Sequence, residues 1–289
     1  ISLSNASAAP GDRNVGIDAD NTVTIFSQFG RLDYAFKNRY LLNGTIRRDE
    51  ASVFGAANKV GYFPSVGFGW RISEEDFMKD VSWITDLKLR GGYGSVGSIS
   101  NNGPLNPFST YSTGPGFGNY DINGTNGSTF LGYRQGTLGN DSTKWENTVS
   151  KNIGFDLTLF RGKWVFDFNL FQNDTKDLLI PRNRLNTEPF VVRPNGASGQ
   201  PNENIGTMRN KGVEFSVANK GKISGDLNYD VQVNFSHYKN EVIKLNAAGN
   251  PFFFGLDRFS NAFKIDKGLP LSTYCGYQIV GVYNTAADV

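Results

Sequence analysis

Histidine occurs once in this 289-residue chain, at His237, and cysteine once, at Cys275. A disulfide within the chain, a two-histidine metal site and a histidine-dependent dyad built on a pair are therefore impossible. Cys275 has no histidine near it in sequence, which removes the usual means of activating a thiol. His237 continues the face of Tyr229, Val231, Val233 and Phe235 near the end of its strand, and is expected at an interface. Trp145-Glu146 and the scattered acids supply carboxylates, but nothing fixes a pair at glycosidase spacing. Gly92-Tyr93-Gly94-Ser95-Val96-Gly97 matches G-x-G-x-x-G, yet a Ser/Asn/Gly/Pro loop follows where the fingerprint needs a helix. Asp121 to Gly127 resembles a calcium loop, but Asn126 and Gly132 stand where glycine and glutamate are required. A cation held by other loop oxygens stays open there. No catalytic residue, cofactor or metal site is expected, and the chain does not read as an enzyme.

The side chains that could recognise a ligand are aromatic and lie in long loops. Phe252-Phe253-Phe254 follows Asn250-Pro251, and Tyr111, Phe117, Tyr120 and Phe190 sit in other loops. Two readings stand side by side: packing or partner contact, and a stacking platform for a sugar ring or peptide.

Period-two alternation identifies the elements that carry these loops. Ile153, Phe155, Leu157 and Leu159 alternate with Gly154, Asp156 and Thr158. After Arg161-Gly162-Lys163, Trp164, Phe166, Phe168 and Leu170 alternate with Val165, Asp167 and Asn169. One face is apolar and aromatic; the other carries carboxylates and amides. Eight such segments are expected, at 22–36, 39–48, 63–73, 87–96, 147–160, 164–179, 205–218 and 227–238, with a ninth starting at 274–283. Most are long enough to cross a bilayer at a tilt, which takes roughly ten residues. A helical turn is expected at Glu74–Met78. Tight links at 37–38, 161–163 and 219–226 and a moderate one at 74–86 alternate with long ones at 49–62, 97–146, 180–204 and 239–273. That alternation is the plan of an outer-membrane barrel. Composition fits: 34 Gly, 23 Phe and 12 Tyr suit strands with aromatic girdles and glycine-rich loops. A net charge of +2 with scattered Lys and Arg gives no case for nucleic acid. No apolar run reaches the length of a spanning helix, and no signal peptide is visible.

Several blocks in series resemble the SusC/RagA branch of TonB-dependent outer-membrane transporters. They are Phe29-Gly30-Arg31-Leu32-Asp33-Tyr34 through Arg47-Arg48-Asp49, Gly61-Tyr62-Phe63-Pro64-Ser65-Val66, and Gly69-Trp70-Arg71-Ile72-Ser73-Glu74-Glu75 with Phe77-Met78. Leu87-Lys88-Leu89-Arg90 follows with Tyr93-Gly94. Trp145-Glu146 precedes Asn152, Gly154 and Asp156; then come Asn210 to Phe215, Gly268 to Leu271, and Gly276 to Tyr283. The pattern departs at Glu50-Ala51-Ser52-Val53.

The resemblance implies an all-β fold: residues 1–289 as part of one antiparallel transmembrane β-barrel domain of roughly 22 strands with a plugged lumen. The plug domain and the final strands are then expected outside this chain, which is expected to begin inside a longer precursor. It further implies TonB-energised import of oligosaccharides or peptides across the outer membrane of a Gram-negative bacterium. The implied partners are a SusD-like surface lipoprotein, TonB–ExbB–ExbD through the N-terminal part, and the lipid bilayer. Polar residues such as Asp156, Thr158, Asp167, Asn169, Gln232 and Asn234 are then expected to face the lumen, where they meet ligand, plug or water. Two rivals remain from the residues: a complete small eight-stranded membrane barrel with a passive or structural role, and a soluble carbohydrate-binding β-sandwich.

Overall fold

In a computed structural model, the structure describes residues 22–113, 133–181, 202–245, 251–256 and 259–276. Eight long strands form one antiparallel sheet: β1 (Ile25–Phe36), β2 (Tyr40–Ala51), β3 (Val60–Arg71), β4 (Ile84–Ser98), β7 (Glu146–Leu159), β8 (Trp164–Pro181), β9 (Asn202–Ser224) and β10 (Leu227–Lys244). Their spatial order is their sequence order, β1 to β10. The short hairpin β5 (Tyr111–Thr113) with β6 (Tyr133–Gln135) lies within the long β4–β7 connection. A separate small sheet joins β11 (Phe252–Leu256), β12 (Phe259–Ile265) and β13 (Thr273–Tyr274).

The eight expected strands are all present, and their ends differ in informative ways. β9 runs on to Ser224, so the link to β10 is only Gly225-Asp226 rather than 219–226. β10 runs on to Lys244, which puts His237 inside the strand and not near its end. Phe252-Phe253-Phe254 belong to β11, not to an irregular loop. Thr273–Tyr274 pairs with β12 in the small sheet and does not start a ninth strand of the large one; residues 277–283 lie outside the described residues. The expected helical turn is two 3-10 turns, Ile72–Glu74 and Asp76–Met78.

Turn chemistry explains the tight links. Lys37 and Asn38 have φ of 51° and 57°, the two positive values of a type I′ hairpin, whose twist matches that of the strands. Across the β7–β8 link Phe160, Arg161 and Gly162 have φ of 51°, 60° and 89°. These links lie at the same end of the sheet as those of β3–β4 and β9–β10; the 52–59 link lies at the other.

Register aligns like with like across the sheet. One row runs Phe36, Tyr40, Trp70, Leu89, Phe155, Phe168, Phe215 and Phe235, one residue per strand. Phe155 and Phe168 stack at 5.5 Å, and Tyr40 and Trp70 at 6.5 Å, as neighbouring aromatics do on a pleated face. The opposite face holds the polar residues, because a period of two sends alternate side chains to opposite sides.

Among the described residues no second layer covers the apolar face: Leu32 is 70% exposed and Val233 58%. Among the described residues, the buried apolar side chains gather mainly in two small clusters. Ala51, Val53, Phe54, Phe63 and Trp145 pack where the long connections gather. Val242, Leu245 and Ile265 join β10 to the small sheet. One continuous sheet with a bare apolar face is incompatible with a sandwich, which buries that face between two sheets. β1 pairs only with β2 and β10 only with β9 among the described residues, so these eight strands do not close on themselves.

Candidate functional site on the polar face of the sheet

The polar face is organised in rows of distinct chemistry. Near the tight turns, Arg71, Lys88, Asp156, Asp167, Ser216 and Asn234 are successive register partners. The adjoining row contains Arg90, Gly154, Asn169, Glu214 and Ser236. These two rows interlock. Lys88 Nζ donates to Asp156 Oδ2 at 3.0 Å, and Arg90 Nε to Asp156 Oδ1 at 2.9 Å. The same guanidinium reaches Asp167 Oδ2 at 2.7 Å and Asn169 Oδ1 at 3.3 Å. Asn169 in turn donates to Glu214 at 3.2 Å. Arg71 and Ser73 Oγ both reach Asp86 Oδ1, at 3.1 and 2.9 Å.

Gly154 makes this arrangement possible. A Cβ there would meet the Phe168 carbonyl oxygen and come within 3.2 Å of Arg90 Cζ and of Asn169 Oδ1. The Asn152–Gly154–Asp156 block thus has a physical content: Asn152 fills the space beside Gly92, Gly154 leaves room for Arg90, and Asp156 receives it.

Farther toward the long connections, across β3 to β10, the charges give way to neutral groups, whereas Arg31, Arg47 and Asp49 keep the β1–β2 end charged. Thr45, Ser65, Gly94, Ser150, Asn173, Asn210 and Asn240 form a row across seven strands. Asn240 Nδ2 donates to Asn210 Oδ1 at 2.6 Å. This row escaped the sequence reading because its members look like ordinary strand polar residues until register aligns them.

Of the residues singled out from sequence, Asp156, Asp167, Asn169, Thr158, Gln232 and Asn234 share the polar face; Gln232 donates to Asn234 at 3.0 Å. Tyr111 is exposed on β5. Phe117, Tyr120 and Phe190, with the 121–127 stretch, lie outside the described residues. Phe252, Phe253 and Phe254 pair through their backbone with Ile265, Lys264 and Phe263, in a different sheet from Tyr111's hairpin. Among the described residues, no group of three metal-ligating side chains gathers.

Trp145-Glu146 turns out to be a clasp for the loops, not a source of reactive carboxylates. Glu146 is buried, accepts the Leu179 N–H at 2.7 Å, and binds Asn101 Nδ2 at 3.0 Å. Trp145 Nε1 donates to the Lys59 carbonyl at 3.1 Å, and its ring packs on Phe54 and Phe63. A second clasp sits among the tight turns: Glu75 accepts from Tyr40 Oη at 2.7 Å, Trp70 Nε1 at 2.9 Å and Arg39 at 3.0 Å. These hydrogen bonds hold the Glu75 carboxyl below the usual carboxylate range.

Long strands, an uncovered aromatic face and alternating turn lengths define a transmembrane β-barrel wall. The sequence comparisons agree. Residues 3–272 match the family model "TonB dependent receptor-like, beta-barrel", and the chain belongs to that family. It is 32% identical over 271 residues to TonB-dependent receptor P3 of Formosa agariphila, covering 91% of this chain and 25% of that protein. To TonB-dependent receptor SusC of Bacteroides thetaiotaomicron it is 32% identical over 231 residues, covering 80% and 22%. The solved RagAB peptide importer in its open-open state superposes with a TM-score of 0.71 at 25% identity, covering 86% of this chain and 25% of that one. The chain spans about a quarter of the length of these relatives. Its place is the outer membrane of a Gram-negative bacterium.

Proposed function

We propose that this chain is a wall panel of a TonB-energised importer, which carries oligosaccharides or peptides across the outer membrane with a SusD-like surface lipoprotein. Its lipid-facing side is the aromatic row; its polar rows face the lumen. The observation that carries the reading is the hydrogen-bonded network of Lys88, Arg90, Asp156, Asp167, Asn169 and Glu214 on the face opposite the aromatic row. A wall needs such a surface only if its inner side meets water, a plug or polar cargo. The partially exposed carboxylates and guanidinium suit docking of a plug domain, and the hydroxyl and amide row suits neutral polar cargo. Barrel and plug together, with TonB–ExbB–ExbD acting through the N-terminal part, then supply the energised step. The likeness to the RagAB peptide importer supports the peptide class; the oligosaccharide class and the lipoprotein rest on the resemblance to the SusC/RagA branch.

Uptake of labelled oligosaccharides and peptides by cells carrying or lacking the gene tests this. Uptake should vanish without the gene, and also when the proton gradient is collapsed or TonB is removed. Flux that persists without energy would mean a passive pore.

A further inference from the structure

The lipid-facing side of β7–β10 changes character abruptly toward the long connections. Ile153, Leu170, Val213 and His237 are register partners in one row. The next outward-pointing row, two residues closer to the long connections, is Lys151, Gln172, Lys211 and Lys239. A groove of about 650 Å³ lies across both, with Ile153, Leu170 and Val213 as its floor and the three lysines on its rim.

The positive charge of this rim is compensated only in part. The row beyond contains Asp174 and Glu241. Asp174 is already bound by Arg209 at 2.6 and 3.1 Å. Glu241 approaches Lys239 only at 3.4 Å. Lys151 sits 6.0 Å from the centre of the Tyr93 ring, and Lys211 makes no ion pair among the described residues. Long lysine stems lie along apolar surface and carry their ammonium groups toward the polar edge of a bilayer. Longer barrel loops lie on the extracellular side, so this rim stands at the outer leaflet.

We propose that the groove is a binding site for an outer-leaflet lipid with a phosphate-bearing headgroup. Its acyl chain lies on Ile153, Leu170 and Val213, and its phosphate is held by Lys151, Lys211 and Lys239. The pattern fits one amphiphile: an apolar floor continuous with a cationic rim, in the order in which a lipid presents chain and phosphate. A free phosphate would leave the floor unexplained. A second copy of the chain would need a matching acidic row, and among the described residues the two acids of the next row on this face, Asp174 and Glu241, share it with Arg209 and lie against Arg209 and Lys239.

Native mass spectrometry of the protein extracted from its own membrane tests the site. Wild type is compared with K151Q/K211Q/K239Q and with K151R/K211R/K239R. Phosphate-bearing lipid adducts are expected on wild type and on the arginine variant, and at least tenfold fewer on the glutamine variant. Heat-modifiable migration reports folding of each variant; if the triple glutamine variant fails to fold, Lys211→Gln alone should still lower occupancy. Equal lipid occupancy across variants overturns the proposal. So does displacement of the adduct by millimolar inorganic phosphate, which would indicate a simple anion site. A glutamine variant that changes oligomeric mass but not lipid count would assign the face to a second copy instead.

Discussion

Arg90 crosses directly over Gly154, with its Cζ 3.2 Å from where a Cβ on residue 154 would stand. That empty position lets one guanidinium from β4 hold Asp156 on β7 and Asp167 on β8. Two carboxylates on neighbouring strands would otherwise repel as register partners. Gly154→Ala should therefore destabilise the wall by about 1–3 kcal/mol through overpacking against Arg90 and the Phe168 carbonyl. A fall in the temperature at which heat-modifiable migration is lost would measure it. An unchanged temperature would mean Arg90 can move aside freely.

Arg90→Met should leave Asp156 and Asp167 facing each other with only Lys88 to offset them. Adding Asp167→Asn should restore part of the loss, because it removes the repulsion that the first change exposes. A double-mutant cycle in urea reads the coupling directly. Additive losses would show that the three groups do not act together.

Much of this was legible beforehand because a period of two is hard to hide when one face is aromatic. Phe155, Leu157, Trp164, Phe166 and Phe168 announced their strands, and the register only aligned them. What escaped has a physical reason in each case. Asn219 to Ser224 reads as a loop because Lys220-Gly221-Lys222 lacks large apolar residues, yet β10 supplies backbone partners that extend the strand. The Asn173–Asn210–Asn240 row is a product of register between strands distant in sequence, and no local window contains it. Glu146 looked like a free carboxylate; its role depends on Asn101 and Leu179, which are far from it in the chain.

The Glu75 clasp should depend on pH in a defined sense. The bonds from Tyr40 and Trp70 lower the Glu75 value in the folded state below its ordinary 4.5. Its contribution is then complete above about 4.5, and is lost as pH falls through the lowered folded-state value. Difference fluorescence between wild type and Trp70→Phe, followed during acidification, should show the Trp70 signal persisting below pH 4.5. Glu75→Gln should abolish that transition. A Trp70 signal that changes well above pH 4.5 would contradict the clasp.

Trp145→Ala should dismantle the loop cluster and spare the strands. Its ring packs on Phe54 and Phe63, and truncating a buried aromatic of this kind costs about 3–5 kcal/mol. Limited proteolysis should open new cleavage sites at 52–59 and 99–106, with heat-modifiable migration retained. Loss of the folded barrel itself would mean that the cluster supports the sheet and not only the connections.

Residues 1–289 expressed alone should give no heat-modifiable species in detergent. β1 and β10 each have one side unpaired among the described residues, and unpaired strand edges are not tolerated in lipid. A compact heat-modifiable band would overturn the fragment reading.

The central claim is that one face of this sheet meets lipid and the other does not. In a Cys275→Ser background, spin labels placed singly at Leu157, Val217, Thr158 and Ser216 of the membrane-inserted protein would report it by collision with oxygen and with a water-soluble nickel complex. Labels at 157 and 217 should favour oxygen, and labels at 158 and 216 the nickel complex or immobilisation against a neighbour. The reverse pattern, or equal accessibility at all four positions, would contradict the account.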